Sequence, residues 1–440
     1  MRISPSTSLE TTGGMELRYL YSNLERSQSC VVVGAGPAGL MLGLLLARSG
    51  VDVTVIEKHQ DFLRDFRGDT IHPSTLEAMH ELGYLDELLT LPHQKAYQLH
   101  AEIEGRKVTI ADFSKLPTRA KFIAFMPQWD FLNFLARKAA GFPRFRLLMS
   151  TEITSLRWEA GRVVGVNARQ SDRNLVLDAD LVIGADGRNS ATRKAAGLEF
   201  QSFGTATDIL WMKVSKKAGD PQQAMSHAGP RQGLVLIDRG DYWQCGYVIT
   251  KGTVDALKDG GIGALRARIA EVAPLPADRF KEIRSWDDVH LLSVRIDRLK
   301  TWWKPGLLFI GDAAHAMSLI GGVGVNLAIQ DAIATANLLA EALREGRMKT
   351  RLLEAVQRRR AFPTRATQKL QLMMRSRKRA GEADSARSPK PPLFMRLIAR
   401  SPLLPRLTGR LIGLGFRPEH VRTQLVDWSC SLRKSAAPPR

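Results

Sequence analysis

Cysteine is scarce in this chain of 440 residues, which holds only Cys30, Cys245 and Cys430. Three widely spaced cysteines supply neither a disulfide framework nor a set of metal ligands, so no metal site is predicted. No apolar run approaches the roughly 18 residues that span a bilayer. The longest candidate, Leu40 to Ala47, is short. We therefore expect a reduced, cytoplasmic protein.

Acidic residues are scarce at the C-terminal end. Lysine and arginine exceed aspartate and glutamate by 20 in the whole chain, and residues 341–440 alone carry 24 basic and 7 acidic side chains. A surplus of 17 therefore lies in this last part, which leaves only 3 for the first 340 residues. The basic charge belongs to a C-terminal region and says little about the rest of the protein.

Two hypotheses account for this basic region. Pro391 to Phe416 mixes leucines with arginines, and a basic cluster, Arg375 to Arg379, precedes it. Such a segment can contact an anionic membrane peripherally, at about 1 kcal/mol for each basic residue near the surface. Because Pro402 and Pro405 interrupt any long amphipathic helix, we favour helices that pack their leucines against the rest of the protein. No recognition motif accompanies the charge, so nucleic acid is not an expected partner.

The first regular pattern along the chain is a complete βαβ unit. Cys30 to Val33 is a short apolar strand, Pro37 to about Ser49 is an apolar helix, and Val51 to Ile56 is a β-branched strand. Such a unit is the smallest piece of a doubly wound sheet. Glu57 ends the second strand, where a carboxylate can accept hydrogen bonds from ribose hydroxyl groups.

The turn inside this unit has the spacing of a dinucleotide-binding fingerprint. Gly34 permits the tight turn, Gly36 lets the backbone approach a pyrophosphate, and Gly39 allows close packing of the helix on the strand. Pro37 and Ala38 open the helix, whose N-terminus offers free N–H groups and about half a positive charge to the phosphates. The turn alone does not distinguish FAD from NAD.

A second glycine-rich unit far along the chain favours FAD. Gly306 to Ile310 is a buried strand, and Gly311 and Asp312 follow it directly. Asp312 can bind the ribityl chain of FAD, whereas an NAD dehydrogenase has no need of a second such unit. A helix begins downstream, and its first amides can face the isoalloxazine and stabilise the negative charge of the reduced ring. The residues predicted to do so are Gly322, Val323, Gly324, Val325 and Asn326.

Three motifs in this order carry a specific resemblance. They are Gly34 to Gly39, Asp180 to Gly187, and Gly311–Asp312. From about Ser29 to Asn337 the chain resembles the FAD-dependent aromatic hydroxylases of the para-hydroxybenzoate hydroxylase type, a superfamily that includes ubiquinone-pathway hydroxylases. The resemblance implies an α/β fold with three parts: a Rossmann-like FAD-binding domain of the glutathione reductase type, an inserted, mostly antiparallel β substrate domain, and a helical C-terminal region.

The resemblance also implies roles for individual residues. Asp186–Gly187 matches a motif that serves both FAD and the incoming nicotinamide of NAD(P)H. Arg67 and Gln128 match positions that touch the FAD phosphates and the ribityl region. Lys58 joins Glu57 in the predicted cofactor-binding set.

The activity that the resemblance implies is monooxygenation. NAD(P)H reduces FAD, O2 adds at the flavin C4a atom, and the hydroperoxide delivers one oxygen atom to an aromatic or other electron-rich hydrophobic substrate. Two alternatives stay open. One is a flavin-dependent reductase or dehydrogenase of an isoprenoid or quinone-like substrate, and the other is a non-catalytic FAD-binding accessory protein. Leu319 favours the second of these, because many relatives have a proline there beside the flavin.

The order of strands and helices divides the chain into seven segments. Gly233 to Ile237 and Tyr242 to Ile249 flank a turn and predict an antiparallel hairpin in a second, mostly β domain. The predicted segments are a flexible leader (1–28), three parts of the FAD-binding domain (29–95, 122–205 and 300–343), two parts of the substrate domain (96–121 and 206–299) and a basic helical C-terminal region (344–440).

The substrate side is less determined by the sequence. Residues 242–247 alternate on a strand, so one face carries Tyr242, Gln244 and Gly246 and the other carries Trp243, Cys245 and Tyr247. One face lines a pocket above the flavin, or both serve sheet packing, and alternation alone does not decide between these. For His315 we favour packing beside FAD over a role as catalytic base. No catalytic acid or base is assigned.

Overall fold

The structure is a computed structural model that describes residues 28–63, 70–103, 106–205, 207–220, 225–228, 233–382, 401 and 403–426. These residues form five sheets and ten α-helices. The α/β architecture predicted from the sequence is confirmed, with one mainly parallel sheet and one larger mixed sheet.

A six-stranded sheet forms the centre of the first domain. In spatial order its strands are β20 (Trp303–Lys304), β21 (Leu307–Phe309), β12 (Leu181–Gly184), β1 (Ser29–Val33), β2 (Asp52–Ile56) and β8 (Phe145–Leu148). All neighbours run parallel except β20, which is antiparallel to β21. Because parallel strands end at the same edge, the turns after β1, β12 and β21 lie side by side.

Three helices cover this sheet. They are α1 (Pro37–Arg48), α4 (Gln128–Ala140) and α8 (Val323–Arg344). Residues 38–47 of α1 are all buried, and α1 contacts both α4 and α8. A helix that is apolar all round, as α1 is, belongs in the core of a large domain.

The expectation that no apolar run is long enough to cross a membrane needs correction. Among the described residues one segment, Ile320–Arg344, meets that criterion by length and composition. Most of this segment is buried inside the protein, where it packs against α1 and the helix after it. We interpret it as the second core helix of the domain, apolar because both of its long faces are covered.

A seven-stranded sheet forms the second domain. Its spatial order is β18 (His290–Leu292), β14 (Thr207–Ser215), β17 (Tyr242–Thr250), β16 (Gly233–Asp238), β15 (Met225–Ala228), β5 (Gln98–Ile103) and β6 (Arg106–Asp112). Its pairs are antiparallel apart from β15 and β5, and the predicted hairpin is confirmed as β16–β17. Two strands from the predicted segment 96–121 thus join strands from the segment 206–299.

The described residues also form three small sheets and seven further α-helices. One three-stranded sheet contains β3 (Thr70–Ile71), β7 (Ile123–Phe125) and β4 (Gln94–Ala96). A second contains β11 (Arg173–Asp178), β10 (Arg162–Gln170) and β9 (Thr151–Glu159). The third contains β13 (Phe200–Ser202), β19 (Asp297–Leu299) and β22 (His315–Ala316). The remaining α-helices are α2 (Pro73–Glu81), α3 (Leu85–Leu88), α5 (Ala191–Ala196), α6 (Val254–Asp259), α7 (Gly261–Ala270), α9 (Thr350–Glu382) and α10 (Leu404–Leu414).

Two local differences from the sequence prediction have physical reasons. The sequence predicts one helical segment over Pro73 to Leu89, but α2 and α3 are separate helices. Gly83 between them has φ +76°, a left-handed conformation that ends a helix. The second domain also contains α6 and α7, which cover one face of its sheet.

Two of the three cysteines lie in the described residues. Cys30 and Cys245 are free and buried. Burial raises the pKa of the Cys245 thiol to about 12 and raises the pKa of Cys30 as well, so both stay protonated at neutral pH. Cys430 lies outside the described residues.

The described part of the C-terminal region packs on the body of the protein. Pro405 and Gly409 are among the buried residues of α10, and a Cβ on Gly413 would contact Leu116 and Phe113. The helix α10 thus packs on the protein, but Leu403 and Leu407 are 67% and 63% exposed, so the packing hypothesis holds only in part for the leucines of this segment. Residues 391–400 and the side chains of the Arg375 to Arg379 cluster lie outside what the structure describes. Membrane contact stays a prediction.

Candidate cofactor and substrate site

The turn after β1 tolerates side chains at only one of its three glycines. Gly34 has φ +102°, and a Cβ there would lie 2.6 Å from the carbonyl oxygen of Ala185. A Cβ on Gly39 would overlap the carbonyl oxygen of Gly34. A Cβ on Gly36, by contrast, meets no heavy atom of the described residues within 4 Å. Gly36 therefore faces open space, as a residue in contact with a cofactor must.

The N-terminus of α1 is prepared for an anion. No described side chain caps it, Pro37 stands at its start, and its first turn holds no acidic residue. The first amides of a helix lack partners within the helix, so they are free to donate to a phosphate. Glu57 shapes the same turn, since its Oε2 accepts a hydrogen bond from the Ala35 N–H at 3.0 Å.

The second predicted glycine unit meets the first. Gly311 has φ +58°, and a Cβ there would lie 3.2 Å from the Cβ of Ala38 on α1 and 3.1 Å from the Cβ of Ala328 on α8. The turn that starts at Gly311 and presents Asp312 is thus wedged between the first turn of α1 and the N-terminal half of α8. Residues more than 270 positions apart share one site.

A second uncapped helix N-terminus completes the framework. The N-cap of α8 is Gly322, with φ +62°, and within the described chain no side chain caps the helix and no acidic residue stands in its first turn. A Cβ on Gly324 would have the Met317 Cβ, at 3.9 Å, as its nearest neighbour. Val323 and Val325 are half-buried beside it. This end can stabilise negative charge on a ring system placed against it.

An ion pair joins the second and third motifs. The Arg188 Nε–H donates to Asp312 Oδ2 at 2.9 Å, and both side chains are partly exposed. Sequence reasoning missed Arg188, although it directly follows Gly187, whose φ is +77°. The pair sets the direction of the Asp312 carboxylate, so a ribityl hydroxyl would share that carboxylate with Arg188.

Asp186 has a local task in the structure. Its Oδ1 accepts from Ser190 Oγ at 2.5 Å, and its Oδ2 accepts from the Thr192 N–H and Oγ1, both at 2.9 Å. The carboxylate thus caps the start of α5 and fixes the loop that carries Gly187 and Arg188. A contact with nicotinamide stays a prediction for this motif.

Asn326 fastens β3 to the start of α8. Its Oδ1 accepts from the His72 N–H at 2.9 Å and from Thr75 Oγ1 at 2.7 Å, and its Nδ2 donates to the Thr70 carbonyl at 3.2 Å. Because these bonds use both the oxygen and the nitrogen of the amide, Asn326 positions the glycine turn before it. Its predicted direct contact with FAD stays untested.

His72 is a buried residue that the sequence did not single out. Its Nδ1 lies 2.8 Å from the Ile412 carbonyl oxygen, which only accepts, so Nδ1 carries the proton. Burial lowers the pKa of His72 to about 4, and the ring is neutral at pH 7. Its Nε2 has no hydrogen-bond partner among the described residues and lies 3.5 Å from the position of a Cβ on Gly322. The nearest neighbour of that Cβ is Thr70 Oγ1, at 2.5 Å, so a side chain at Gly322 would collide with Thr70 rather than with this ring.

His315 lies beside a buried carboxylate. Its Nε2 lies 2.6 Å from Asp331 Oδ2, its ring packs 4.9 Å from that of Trp302, and it is 1% exposed. Asp331 Oδ2 also accepts from the Gly311 N–H at 3.1 Å. Burial alone would raise the pKa of Asp331, but the charges and hydrogen bonds of His315 and Arg360 hold it below its usual range. The geometry supports packing beside the cofactor turn rather than a catalytic base.

The structure separates the two faces of β17. Trp243, Cys245 and Tyr247 lie in a core closed by the helices α6 and α7. Gly246 lies on the opposite face, where a Cβ would stand 2.7 Å from the indole of Trp211. This opposite face forms a second cluster, here called the Trp211 cluster, with Ile209, Trp211, Ile237 and Val294 buried and Phe125, Val235, Val248, Leu292 and Leu319 beside them.

The Trp211 cluster reaches the cofactor framework through Leu319. This residue precedes the turn Ile320–Gly322, which leads into α8. Phe125 brings the end of β7 to the same cluster. An apolar cluster therefore lies next to the α8 N-terminus.

Three predicted cofactor-binding residues are left. Gln128 is the first residue of α4 and is buried, and Lys58 is exposed after Glu57. Arg67 lies outside the described residues. Their contacts with FAD stay predictions.

Comparison with known proteins shows the family of this chain. The family of the FAD binding domain matches residues 27–370. The 6-methylpretetramide 4-monooxygenase of Streptomyces rimosus is 34% identical over 399 residues, which cover 90% of this chain and 94% of that protein. The dialkyldecalin synthase of Streptomyces rugosporus is 27% identical over 317 residues, covering 70% of this chain and 64% of the synthase.

A solved structure shares the fold. The p-nitrophenol 4-monooxygenase PnpA from Pseudomonas putida DLL-E4 superposes with a TM-score of 0.69 at 20% identity, covering 89% of this chain and 100% of that one. At this identity the likeness concerns the arrangement of strands and helices.

Proposed function

This chain belongs to the family of the FAD binding domain and is an FAD-dependent oxidoreductase of the monooxygenase class, and we propose that it hydroxylates a hydrophobic aromatic compound with O2 and NAD(P)H. The overall reaction balances as substrate, O2, NAD(P)H and one proton giving hydroxylated product, water and NAD(P)+. Two electrons from NAD(P)H reduce the oxygen atom that leaves as water.

The observation that carries the proposal is the meeting of α1, α8 and the Gly311 turn. Ala38 and Ala328 flank Gly311 at distances that leave no room for a side chain there. One helix N-terminus suits the pyrophosphate and the other suits the reduced ring, and Asp312 stands between them for the ribityl chain. A molecule as long as FAD fits such a framework, whereas a mononucleotide would use only one end of it.

Different residues of this chain bind different parts of FAD. Bound FAD supplies hydride acceptance and oxygen activation. The amides at the start of α1, with Gly36, bind the pyrophosphate, and Asp312 orients the ribityl chain. The amides at the start of α8 stabilise charge on the reduced ring.

We place the substrate against the Trp211 cluster. Its buried members are apolar, and Trp211 offers a large flat ring beside Leu319 at the flavin end of the site. Aromatic rings favour offset-stacked or edge contacts, so an aromatic substrate gains from this wall. The apolar wall also excludes water from the place where oxygen is transferred. The relative from Streptomyces rimosus is named for a 6-methylpretetramide substrate, which supports testing polycyclic aromatic compounds first.

Substrate-stimulated consumption of NAD(P)H tests the proposal. Purified yellow protein with NAD(P)H alone should consume O2 slowly and release hydrogen peroxide. A true substrate should accelerate NAD(P)H oxidation about tenfold or more, and peroxide should fall as product forms, because productive turnover then outcompetes its release.

Two other outcomes oppose the proposal. Product formed from NAD(P)H under strictly anaerobic conditions would assign the chain to the reductase alternative. Failure of both NADH and NADPH to reduce the bound flavin, with or without aromatic compounds, would assign it to the accessory alternative. A relative that carries the name of a synthase makes the anaerobic control necessary.

A further inference from the structure

A series of buried charged residues supports the Gly311 turn and ends at Glu419, near the end of the chain. Asp331 holds the Gly311 N–H with Oδ2, and its Oδ1 accepts from the Arg360 Nε–H at 2.8 Å. Arg360 is fully buried on α9, and its Nη1 lies 3.4 Å from Glu419 Oε1. The chain of contacts Gly311–Asp331–Arg360–Glu419 is here called the Glu419 relay.

Glu419 itself is firmly placed. It is 5% exposed and accepts two hydrogen bonds from Arg359, Nε to Oε1 at 2.8 Å and Nη2 to Oε2 at 2.9 Å. Arg359 is partly exposed, so it completes the relay at the protein surface. The charges of two arginines and two carboxylates balance, which is what a buried ionic group requires.

The stretch that carries Glu419 lies outside residues 27–370, the part that matches the FAD binding domain family. It is also tied to the other cofactor turn, because Ile412 on α10 accepts from His72 and Leu414 accepts from the Gln330 side chain at 3.2 Å. The C-terminal stretch therefore contacts Arg360, which binds Asp331 behind the Gly311 turn. It also contacts His72, which binds Asn326 at the start of α8.

We propose that Glu419 is a positioning residue of the cofactor site, acting through Arg360 and Asp331 on the Gly311 amide. Without its carboxylate, Arg360 Nη1 keeps only the Arg417 carbonyl oxygen, at 3.4 Å, as an acceptor among the described residues, and Arg360 Nη2 already has no partner among them. The arginine then turns away from Asp331. Asp331 is drawn toward His315 and holds the Gly311 turn less firmly, so Asp312 meets FAD less often in the correct position.

The inference rests on the placement of FAD proposed above, and the test keeps the two apart. We would replace Glu419 with glutamine, which keeps the shape and removes the charge, and titrate apo protein with FAD. Glu419→Gln should raise the FAD dissociation constant about tenfold, within the range that residues remote from a ligand contribute to coupling. If Gly36→Val abolishes FAD binding and Glu419→Gln leaves it unchanged, only the relay is wrong.

A matched control uses the neighbouring anchor of the same stretch. Glu81 on α2 accepts from His420 Nδ1 at 2.5 Å and from the Val421 N–H at 2.7 Å, without touching Arg360. Glu81→Gln removes the same charge and also loosens the stretch, yet it should leave the FAD dissociation constant within about twofold. Equal weakening by both variants would mean that anchoring alone matters, and this would overturn the relay.

Thermal unfolding separates positioning from simple stability. FAD binds only the folded protein, so the rise in melting temperature on adding FAD reports affinity. A positioning role predicts that this rise shrinks in Glu419→Gln, and a purely structural role lowers apo and holo melting temperatures by equal amounts. If Glu419→Gln does not fold, Arg359→Gln loosens Glu419 from the surface side, and it should weaken FAD binding about threefold. Unchanged affinity in that folded variant would overturn the proposal.

Discussion

Replacing Gly36 with valine is expected to yield a folded protein that is colourless after purification. A Cβ on Gly36 has no described heavy atom within 4 Å, so a side chain there extends into open space, which is where we propose that the pyrophosphate binds. FAD affinity should fall by more than about a hundredfold, because hydrogen bonds to charged groups, each worth about 1.5–3 kcal/mol, are lost together. Flavin absorbance per chain and an FAD titration of the apo protein measure the effect.

Gly39→Ala serves as the contrasting variant. Its methyl group would overlap the carbonyl oxygen of Gly34, so helix and strand must separate, and the expected defect is in folding. Gly36→Val should keep the melting temperature of wild-type apo protein, whereas Gly39→Ala should lower it or prevent expression. Full flavin occupancy in Gly36→Val would show that the cofactor lies elsewhere.

Replacing Gly246 with valine is expected to disable the substrate site and leave the flavin in place. The new side chain on β17 would enter the position of the Trp211 indole, which must swing off the sheet into the space beside Leu319. Overfilling a pocket by a few methyl groups costs about 1–3 kcal/mol, so we expect kcat/KM for the substrate to fall at least about tenfold. FAD affinity should not change. Substrate-stimulated NAD(P)H oxidation is the measurement.

Two further variants give this prediction its controls. Cys245→Ala changes the residue before Gly246. Its side chain lies in the core on the other face of the sheet, so this variant should leave kcat/KM unchanged. Adding Trp211→Ala to Gly246→Val removes the ring that clashes, so part of the lost substrate affinity should return. If Gly246→Val behaves like wild type, the Trp211 cluster does not line the substrate site.

Sequence reasoning succeeded where neighbours in the fold are neighbours in the chain. The β1–α1–β2 unit is local, and Gly34, Gly36, Gly39 and Glu57 lie within about two dozen residues of one another, while their contacts with FAD stay predictions. Their spacing carries its own geometry, since a strand, a tight turn and a helix leave few ways to arrange the amides. The hairpin β16–β17 is local in the same sense.

Sequence reasoning could not find the pairs that only the fold creates. Arg188 and Asp312 are 124 positions apart, and His72 and Ile412 are 340 apart. A polar side chain beside a motif looks the same whether it contacts a cofactor or another segment. Asn326 illustrates this, since its place in the glycine-rich stretch predicts a flavin contact while its amide is engaged by β3 and α2.

The alternation of residues on β17 did not tell which of its two faces lines a pocket. A strand repeat of two residues shows which side chains share a face, but it does not show what covers that face. Packing shows what covers each face. Helices α6 and α7, which the sequence analysis did not predict within the second domain, cover one face, and the other face packs in the Trp211 cluster, which we propose as the substrate side.

The most direct test of monooxygenation is the origin of the new oxygen atom. The holoenzyme, NAD(P)H and a compound that stimulates its oxidation should be incubated under dioxygen labelled with the heavy oxygen isotope, in ordinary water, and the product weighed by mass spectrometry. The account predicts one labelled oxygen atom in each product molecule, and none when only the water carries the label. Product whose new oxygen comes from water, or product that forms without dioxygen, would contradict it.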